Sequence, residues 1–469
     1  MDEFLREINV EVFKQWILNQ DSEDYHIYLY NKDTIHLETK YSLSKVIFYE
    51  MSIIEFKVMN NISKNVEFYI HFQMNTFKHA LELYNDMLDT IKGLVEKPVI
   101  KVLLSCSGGL TTTYFANEIK KGADVLHYPM EVSAVGYNNL FNVGEDYDVI
   151  LLAPQISYIY PKVKEILKDK IVLKIPSKIF ASYNVGEMLE IIANEINKKQ
   201  KTKRNRIVSL RSDLKIKSTT LCISVFRNSN RVHIAYRVYN TKREIIEDAH
   251  IIKPTITIRD IFDVIDTLLV VCPEVEIIGI SIPGILIDGY LSGGAIPGFD
   301  DCDLMGLLKE RYSQKILLEN DVNSAAAGYY ASTDEYDSLT CVFKTQNRGE
   351  ENSIGAGAGT IINGELICGV NNLAGEVKYL PLNFSDDVNE LNCTPEGCLE
   401  LMAKMFVCII SIISPQALIS FCVLLTDADE IKKEMTKYIP EKYIPPIIIE
   451  PDMIDYTLIG ILNLSTKMS

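Results

Sequence analysis

Hydrophobic and polar positions change rhythm twice along this chain. Up to about Lys97, segments dense in aromatic and β-branched residues (YHIYLY, TIHLETKYSL, KVIFYE, IIEFKVM and VEFYIHFQM) read as strands, and residues 76–95 read as a helix that closes them. This predicts an α+β domain over residues 1–97, with no catalytic spacing and no readable function. From Pro98 the rhythm differs. Short apolar runs (VIKVLLS, YDVILLAP, KIVLKIP) alternate with helical stretches (TTYFANEIKKG, YIYPKVKEILKD, VGEMLEIIANEINKK), as a parallel sheet with crossover helices requires.

That second domain is expected over residues 98–198. The polar, basic run KKQKTKRNR, residues 198–206, lacks apolar periodicity and reads as a solvated linker. Residues 207–469 mix strands and helices again, around the landmarks EIIGISIPGILIDG, KILLENDVNSAAAGYY and SIGAGAGTIINGEL. They predict a further α/β domain, large enough to be bilobal. The fold class is therefore multidomain α/β, with an α+β domain in front.

The first chemistry lies in KVLLSCSGGLTTTYFANEI, where an apolar strand ends at Cys106, Gly108 and Gly109 make a turn, and a helix begins near Thr112. Glycines let several backbone N–H groups turn inward, and a helix N-terminus adds unpaired donors and partial positive charge. The same field favours thiolate at Cys106. Cysteine phosphatases place an arginine six positions after the cysteine, and here that position is Thr112. Without the guanidinium fork, a phosphocysteine carrier is favoured over a phosphatase.

CSGGLTTT closely resembles the C-S-x-G-M-S-T-S loop of lactose/cellobiose-type IIB components (EIIB) of sugar phosphotransferase systems (PTS). YDVILLAPQISYIYPKVKEIL resembles the D-V-x-L-L-G-P-Q-I-x-Y segment of the same family, at comparable distance from the cysteine. The resemblance implies a four-stranded parallel sheet. It also implies that Cys106 takes a phosphoryl group from a histidine of a IIA protein and passes it to a sugar at a membrane IIC protein. The phosphate would be held by backbone amides of Ser107, Gly108, Gly109, Leu110, Thr111 and Thr112, with the hydroxyls of Ser107, Thr111, Thr112 and Thr113 as further donors.

The C-terminal part resembles the ROK family of sugar kinases and sugar-responsive repressors. IIGISIPGILIDG is similar to its V-G-I-S-x-P-G-x-V, LLENDVNSAAAGYY to its V-E-N-D-A-N-A-A-A-L-G-E, and SIGAGAGTIINGEL to its G-T-G-x-G-x-G-I-I-x-x-G. This implies a bilobal, actin-like ATPase-type fold. Asp321, held at a strand end by Asn320 and Asn323, is suited to accept the proton of a sugar hydroxyl attacking a phosphoryl group. Asn320, Asp321 and Glu376 (in NLAGEV) would contact sugar, and Gly355, Gly357 and Gly359 would bring backbone close to phosphates.

Departures from that family are equally informative. Its Asp-x-Gly-Gly-Thr phosphate loop is replaced by LCISVFRNSNRVHIAYRVYN, which has no glycine, and ISFCVLLTDADEI stands where a Gly-Gly normally faces adenosine. Of its zinc motif, the histidine position is Tyr379 and the first cysteine position is Leu391. Only Cys393 and Cys398 remain, and two thiols without partners make a poor zinc site. The asparagine of the family's P-N-L-P-G turn is Ala295. No cofactor is assigned.

Net charge of −16 argues against nucleic-acid binding. The first ten residues carry acids where a secretion signal needs bases, no apolar run reaches membrane-spanning length, and ten scattered cysteines fit reduced thiols. A cytoplasmic location is expected. The reading is a PTS-linked phosphotransferase protein, phosphorylated on Cys106, whose ROK-like half senses a sugar or sugar phosphate at an eroded nucleotide site. Its partners would be PTS IIA and IIC proteins and, as ROK proteins commonly pair, a second copy of the chain. The alternative is a bifunctional enzyme whose ROK-like half uses ATP and Mg2+. A ROK-type transcriptional repressor ranks last, because the segments ahead of the ROK part are strand-rich or βα.

Overall fold

The computed structural model describes residues 3–20, 22, 24–61, 64–95, 100–107, 110–125, 128, 130–167, 170–201, 210–211, 214–228, 231–293, 296, 299, 301–344, 354–392, 394–422, 424–425, 427–450 and 452–468. The chain divides into two compact units, Met1–Arg204 and Asn205–Ser469. No described helix is long and apolar enough to cross a membrane.

The first unit opens with a helix, Glu3–Leu18. The strands His26–Asn31, Thr34–Glu38, Ser42–Phe48, Ile53–Asn60 and Val66–Gln73 follow, each antiparallel to its predecessor. Strict burial alternation along Ser42–Phe48 shows a ladder with one covered face. The covers are Glu3–Leu18 and the amphipathic helix Phe77–Val95. Phe13 packs between Phe56 and, edge-on, Tyr84, with ring centroids 6.3 and 6.1 Å away.

In the same unit, Met130–Gly136, Ile100–Cys106, Val149–Leu152 and Ile171–Lys174 lie side by side in that order, all parallel. Ile100–Cys106 is central, which explains its unbroken apolar run. One face packs Val102, Leu104 and Cys106 against Phe115, Ile119 and Leu189, from the helices Leu110–Val125 and Val185–Lys201. The other face buries Leu103, Ile150 and Leu152 against Val163. Val185–Lys201 continues into the basic run at 198–206.

The second unit holds two sheets of related design. In one, Ile245–Lys253, Arg231–Tyr239 and Thr220–Asn228 are antiparallel, and Ile277–Ile282 and Lys315–Asn320 add in parallel. In the other, Glu365–Leu366, Ala356–Ile362 and Leu339–Lys344 are antiparallel, and Ala417–Cys422 and Ile447–Ile449 add in parallel. Ile454–Ser465 packs Leu458 and Ile461 on the first sheet, and Asp321–Ser332 packs Ala325, Ala326 and Ala327 on the second. These two helices meet backbone to backbone. A Cβ at Gly328 would overlap the Tyr456 carbonyl, and one at Gly460 the Ser324 carbonyl. The run SAAAGYY is what permits so close a seam.

Candidate functional site

In the first unit the chain leaves the central strand at Cys106, whose in-register neighbour is Gly136, and passes through an exposed Ser107. The helix begins at Leu110, two residues before the start expected from sequence. Its first turn, Leu110 to Thr113, therefore brings backbone N–H groups without intrahelical acceptors to the strand end. Thr112, where a phosphatase would carry arginine, is buried, and Thr113 is exposed. Gly108 and Gly109 lie outside the described residues, as do the side chains of Leu110 and Thr111.

Cys106 itself is 3% exposed, with its side chain in the apolar layer beside Leu104 and Phe115. The second segment singled out from sequence lies beside it. Ala153, opening the turn Pro154–Ile159, donates its N–H to the Ser105 carbonyl at 2.9 Å. The end of the central strand and the APQIS turn thus meet at one end of the sheet.

The second unit gathers its carboxylates at the end of Lys315–Asn320. Asn320 caps the helix Asp321–Ser332, its Oδ1 accepting from the N–H groups of Val322 (2.9 Å) and Asn323 (3.1 Å), while its Nδ2 donates to the Gly284 carbonyl at 2.9 Å. Asp321 is therefore the first helical residue. Asn323 turns away from it and donates to Glu319 at 3.0 Å. Burial pushes the Asp321 carboxyl up to about 6, against the Val322 N–H, and the neighbouring Glu376 carboxylate adds to the rise. Glu376 pairs with Lys378 at 3.3 Å.

The loop carrying Glu376 is held on two sides. Ala358 donates to the Gly375 carbonyl at 2.7 Å, and Asn372 donates to the Leu286 carbonyl in the hairpin Ile285–Ile287/Tyr290–Ser292. Glu319 is the residue that sequence reading quoted without using. It accepts from the Asn320 N–H at 2.9 Å as well as from Asn323, and burial raises its pKa. Cys368 faces the same group, 3.9 Å from Asn323 Nδ2.

The remaining residues singled out from sequence fall elsewhere. Gly355 has φ +60°. Gly357 and Gly359 lie in the strand Ala356–Ile362, against the start of the Asp321 helix, where a Cβ on Gly359 would overlap the Val322 carbonyl. Tyr379 is exposed and Leu391 buried. Cys398 is buried in the helix Pro395–Ile412, while Cys393 and Ala295 lie outside the described residues. Among the described residues no group of three or more His, Cys, Asp or Glu could hold a metal.

These features define a fusion of a thiol-bearing parallel-sheet domain with a two-sheeted α/β unit. Residues 101–190 match the family model "PTS system, Lactose/Cellobiose specific IIB subunit", and residues 231–405 match "ROK family". The chain carries a PTS IIB-type domain fused to a ROK-family sugar-kinase/repressor domain. It is 28% identical over 130 residues to the xylose repressor of Bacillus subtilis (strain 168), covering 27% of this chain and 31% of the repressor. It is 36% identical over 64 residues to the PTS system lactose-specific EIICB component of Staphylococcus aureus, covering 14% of this chain and 11% of that protein. The chain thus spans under a third of either relative's length. A ROK family protein from Streptococcus pneumoniae TIGR4, solved in complex with sucrose, superposes with a TM-score of 0.42 at 19% identity, covering 54% of this chain and 100% of that one.

Proposed function

We propose that this chain is a PTS-linked phosphoprotein: Cys106 accepts a phosphoryl group, and the ROK-like unit senses a sugar without turning over nucleotide. The observation that carries the reading is Cys106 at the end of a central parallel strand, followed by a helix whose first turn starts at Leu110. The Cys106 thiolate attacks the phosphorus of a phosphohistidine on a IIA-type donor. The S–P bond forms, the N–P bond breaks, and the imidazole leaves with the electron pair. Ser107, the amides from Gly108 to Thr112, and the hydroxyls of Thr111, Thr112 and Thr113 stabilise the dianion. A sugar hydroxyl at a IIC-type partner is the onward acceptor. The proposed setting is the cytoplasm.

Incubation with labelled phosphoenolpyruvate and the general PTS components tests this. Label is expected on Cys106 and absent from Cys106→Ser, and equal labelling of both would sink the proposal.

For the ROK-like unit we read a bilobal, actin-like arrangement, supported by the matching strand orders of its two sheets. Asn320, Asp321 and Glu376 are its sugar contacts. ATP with Mg2+ does not fit the residues present. Phe226 stacks on His233 (centroids 5.0 Å apart) in the strand pair where the family has its first phosphate loop, and Gly357 and Gly359 are occupied by packing against Val322 and Asn323. One observation favours the bifunctional-kinase alternative: Asp321, with its pKa near 6, is a competent general base. Calorimetry with millimolar ATP separates the two, since heat of nucleotide binding supports the kinase. Similarity to a xylose repressor agrees with sugar sensing, and measurable promoter binding would revive the repressor reading against the net charge of −16.

A further inference from the structure

Lys344 and Cys422 are register partners on adjacent parallel strands, at the C-terminal end of the second unit's Leu339–Cys422 sheet. Partnered residues place their side chains on the same sheet face. Cys398 arrives from the first turn of the helix Pro395–Ile412, which Thr394 caps, and packs in the same buried cluster as Cys422. Asn392 ties the group together. Its carbonyl lies 3.6 Å from Cys398 Sγ, and its side-chain oxygen accepts from the buried Lys344 ammonium.

We propose that Cys422 and Cys398 form a redox-active dithiol, in which Cys422 is the attacking sulfur and a peroxide converts the pair to a disulfide. The hydrogen bond from Cys398, with the N–H groups of Leu424 and Leu425 and the charge of Lys344, holds the Cys422 thiol below its ordinary value despite burial. Burial instead pushes Cys222, Cys272, Cys302, Cys341, Cys368 and Cys408 up. A thiolate next to a second thiol and an ammonium is the arrangement that sulfenate formation and resolution require.

The chemistry balances in two steps. The Cys422 thiolate attacks one oxygen of hydrogen peroxide; an S–O bond forms, the O–O bond breaks, and hydroxide leaves with a proton from the Lys344 ammonium, which solvent restores. The Cys398 thiol then attacks the sulfenic sulfur. The S–S bond forms, the S–O bond breaks, and water departs with the Cys398 proton. Two thiols and one peroxide give one disulfide and two waters. With Cys422 5% and Cys398 1% exposed, the oxidant must be small and uncharged. The bond staples the helix Pro395–Ile412 to the end of Ala417–Cys422.

The test uses the reduced full chain, treated with one equivalent of hydrogen peroxide at neutral pH, blocked with N-ethylmaleimide and mapped by non-reducing mass spectrometry. The expected product is a peptide pair joined through Cys398 and Cys422, released by dithiothreitol. In Cys398→Ser, dimedone should capture a sulfenic acid on Cys422. Lys344→Gln should slow thiol loss at neutral pH, as loss of the ammonium beside Cys422 raises its pKa and lowers its thiolate fraction. A crosslink between other cysteines, oxidation that bypasses Cys422, or an unchanged rate in a folded Lys344→Gln overturns the proposal. Should either variant fail to fold by circular dichroism, the wild-type crosslink map decides alone.

Discussion

At Asp321, burial and the Glu376 carboxylate both oppose ionisation, so the folded chain holds this proton up to about pH 6, against an ordinary value of 3.8. A group bound more tightly to its proton when folded favours folding below its unfolded pKa, and that contribution disappears as pH rises through the folded value. Ionised Asp321 therefore costs about 3 kcal/mol of stability at neutral pH. Asp321→Asn keeps an acceptor for the Val322 N–H and removes the charge. Urea denaturation should show it stabilised by about 2–3 kcal/mol at pH 8, with the gain fading towards pH 4, while sugar binding is lost. An equal gain at both pH values would point to another cause. Asp321 was legible in sequence because N-D-V-N announces both a cap and a carboxylate. Glu376 was legible through NLAGEV, some fifty-five positions on, but the role of Asn323, which serves Glu319, was not. The carboxylates of Asp321 and Glu376 face each other here, with Lys378 already paired to Glu376. The ligand expected is a neutral sugar, so titration with a sugar and its phosphate should show the phosphate binding more weakly, increasingly so at low salt.

Elements were legible where one residue pattern decided them. The central strand ending at Cys106 is a continuous apolar run, and its helix start was placed within two residues. The helix Glu3–Leu18 was missed because most of its described side chains are exposed or half-buried and its fully buried anchors are Phe13 and Ile17, one turn apart. The edge strand Met130–Gly136 was missed for a related reason. It alternates buried and exposed positions and contains Ser133, Ala134 and Gly136, so no apolar block marks it. The strand Ala356–Ile362 shows a different limit. Its glycines signal close approach but do not say to what, and here the backbone of Val322 and Asn323 packs against Gly359. Gly359→Ala should therefore destabilise the chain by about 1–3 kcal/mol and weaken sugar binding by displacing the start of the Asp321 helix. Unchanged urea midpoint and sugar affinity would show that the strand tolerates a Cβ.

At the scale of the whole molecule, the proposal makes two ligands of different chemistry, a phosphoryl group on Cys106 and a sugar near Asp321, act through one chain. Phosphorylation adds a charge of about −2 to a chain already at −16. If the two units communicate, sugar affinity must differ between the phosphorylated and unphosphorylated chain, and linkage requires sugar to shift the phosphorylation equilibrium by the same factor. Coupling of this kind is typically about 1–3 kcal/mol, or about 5–150-fold in affinity. Sugar titrations of both forms of the full chain, with Cys106→Ser as the form that cannot be phosphorylated, measure it directly. A several-fold difference that vanishes in Cys106→Ser supports one integrated sensor. Equal affinities, with Cys106 fully labelled, would leave two independent domains on one polypeptide and remove the sensing half of the proposal while sparing the phosphoryl-acceptor half.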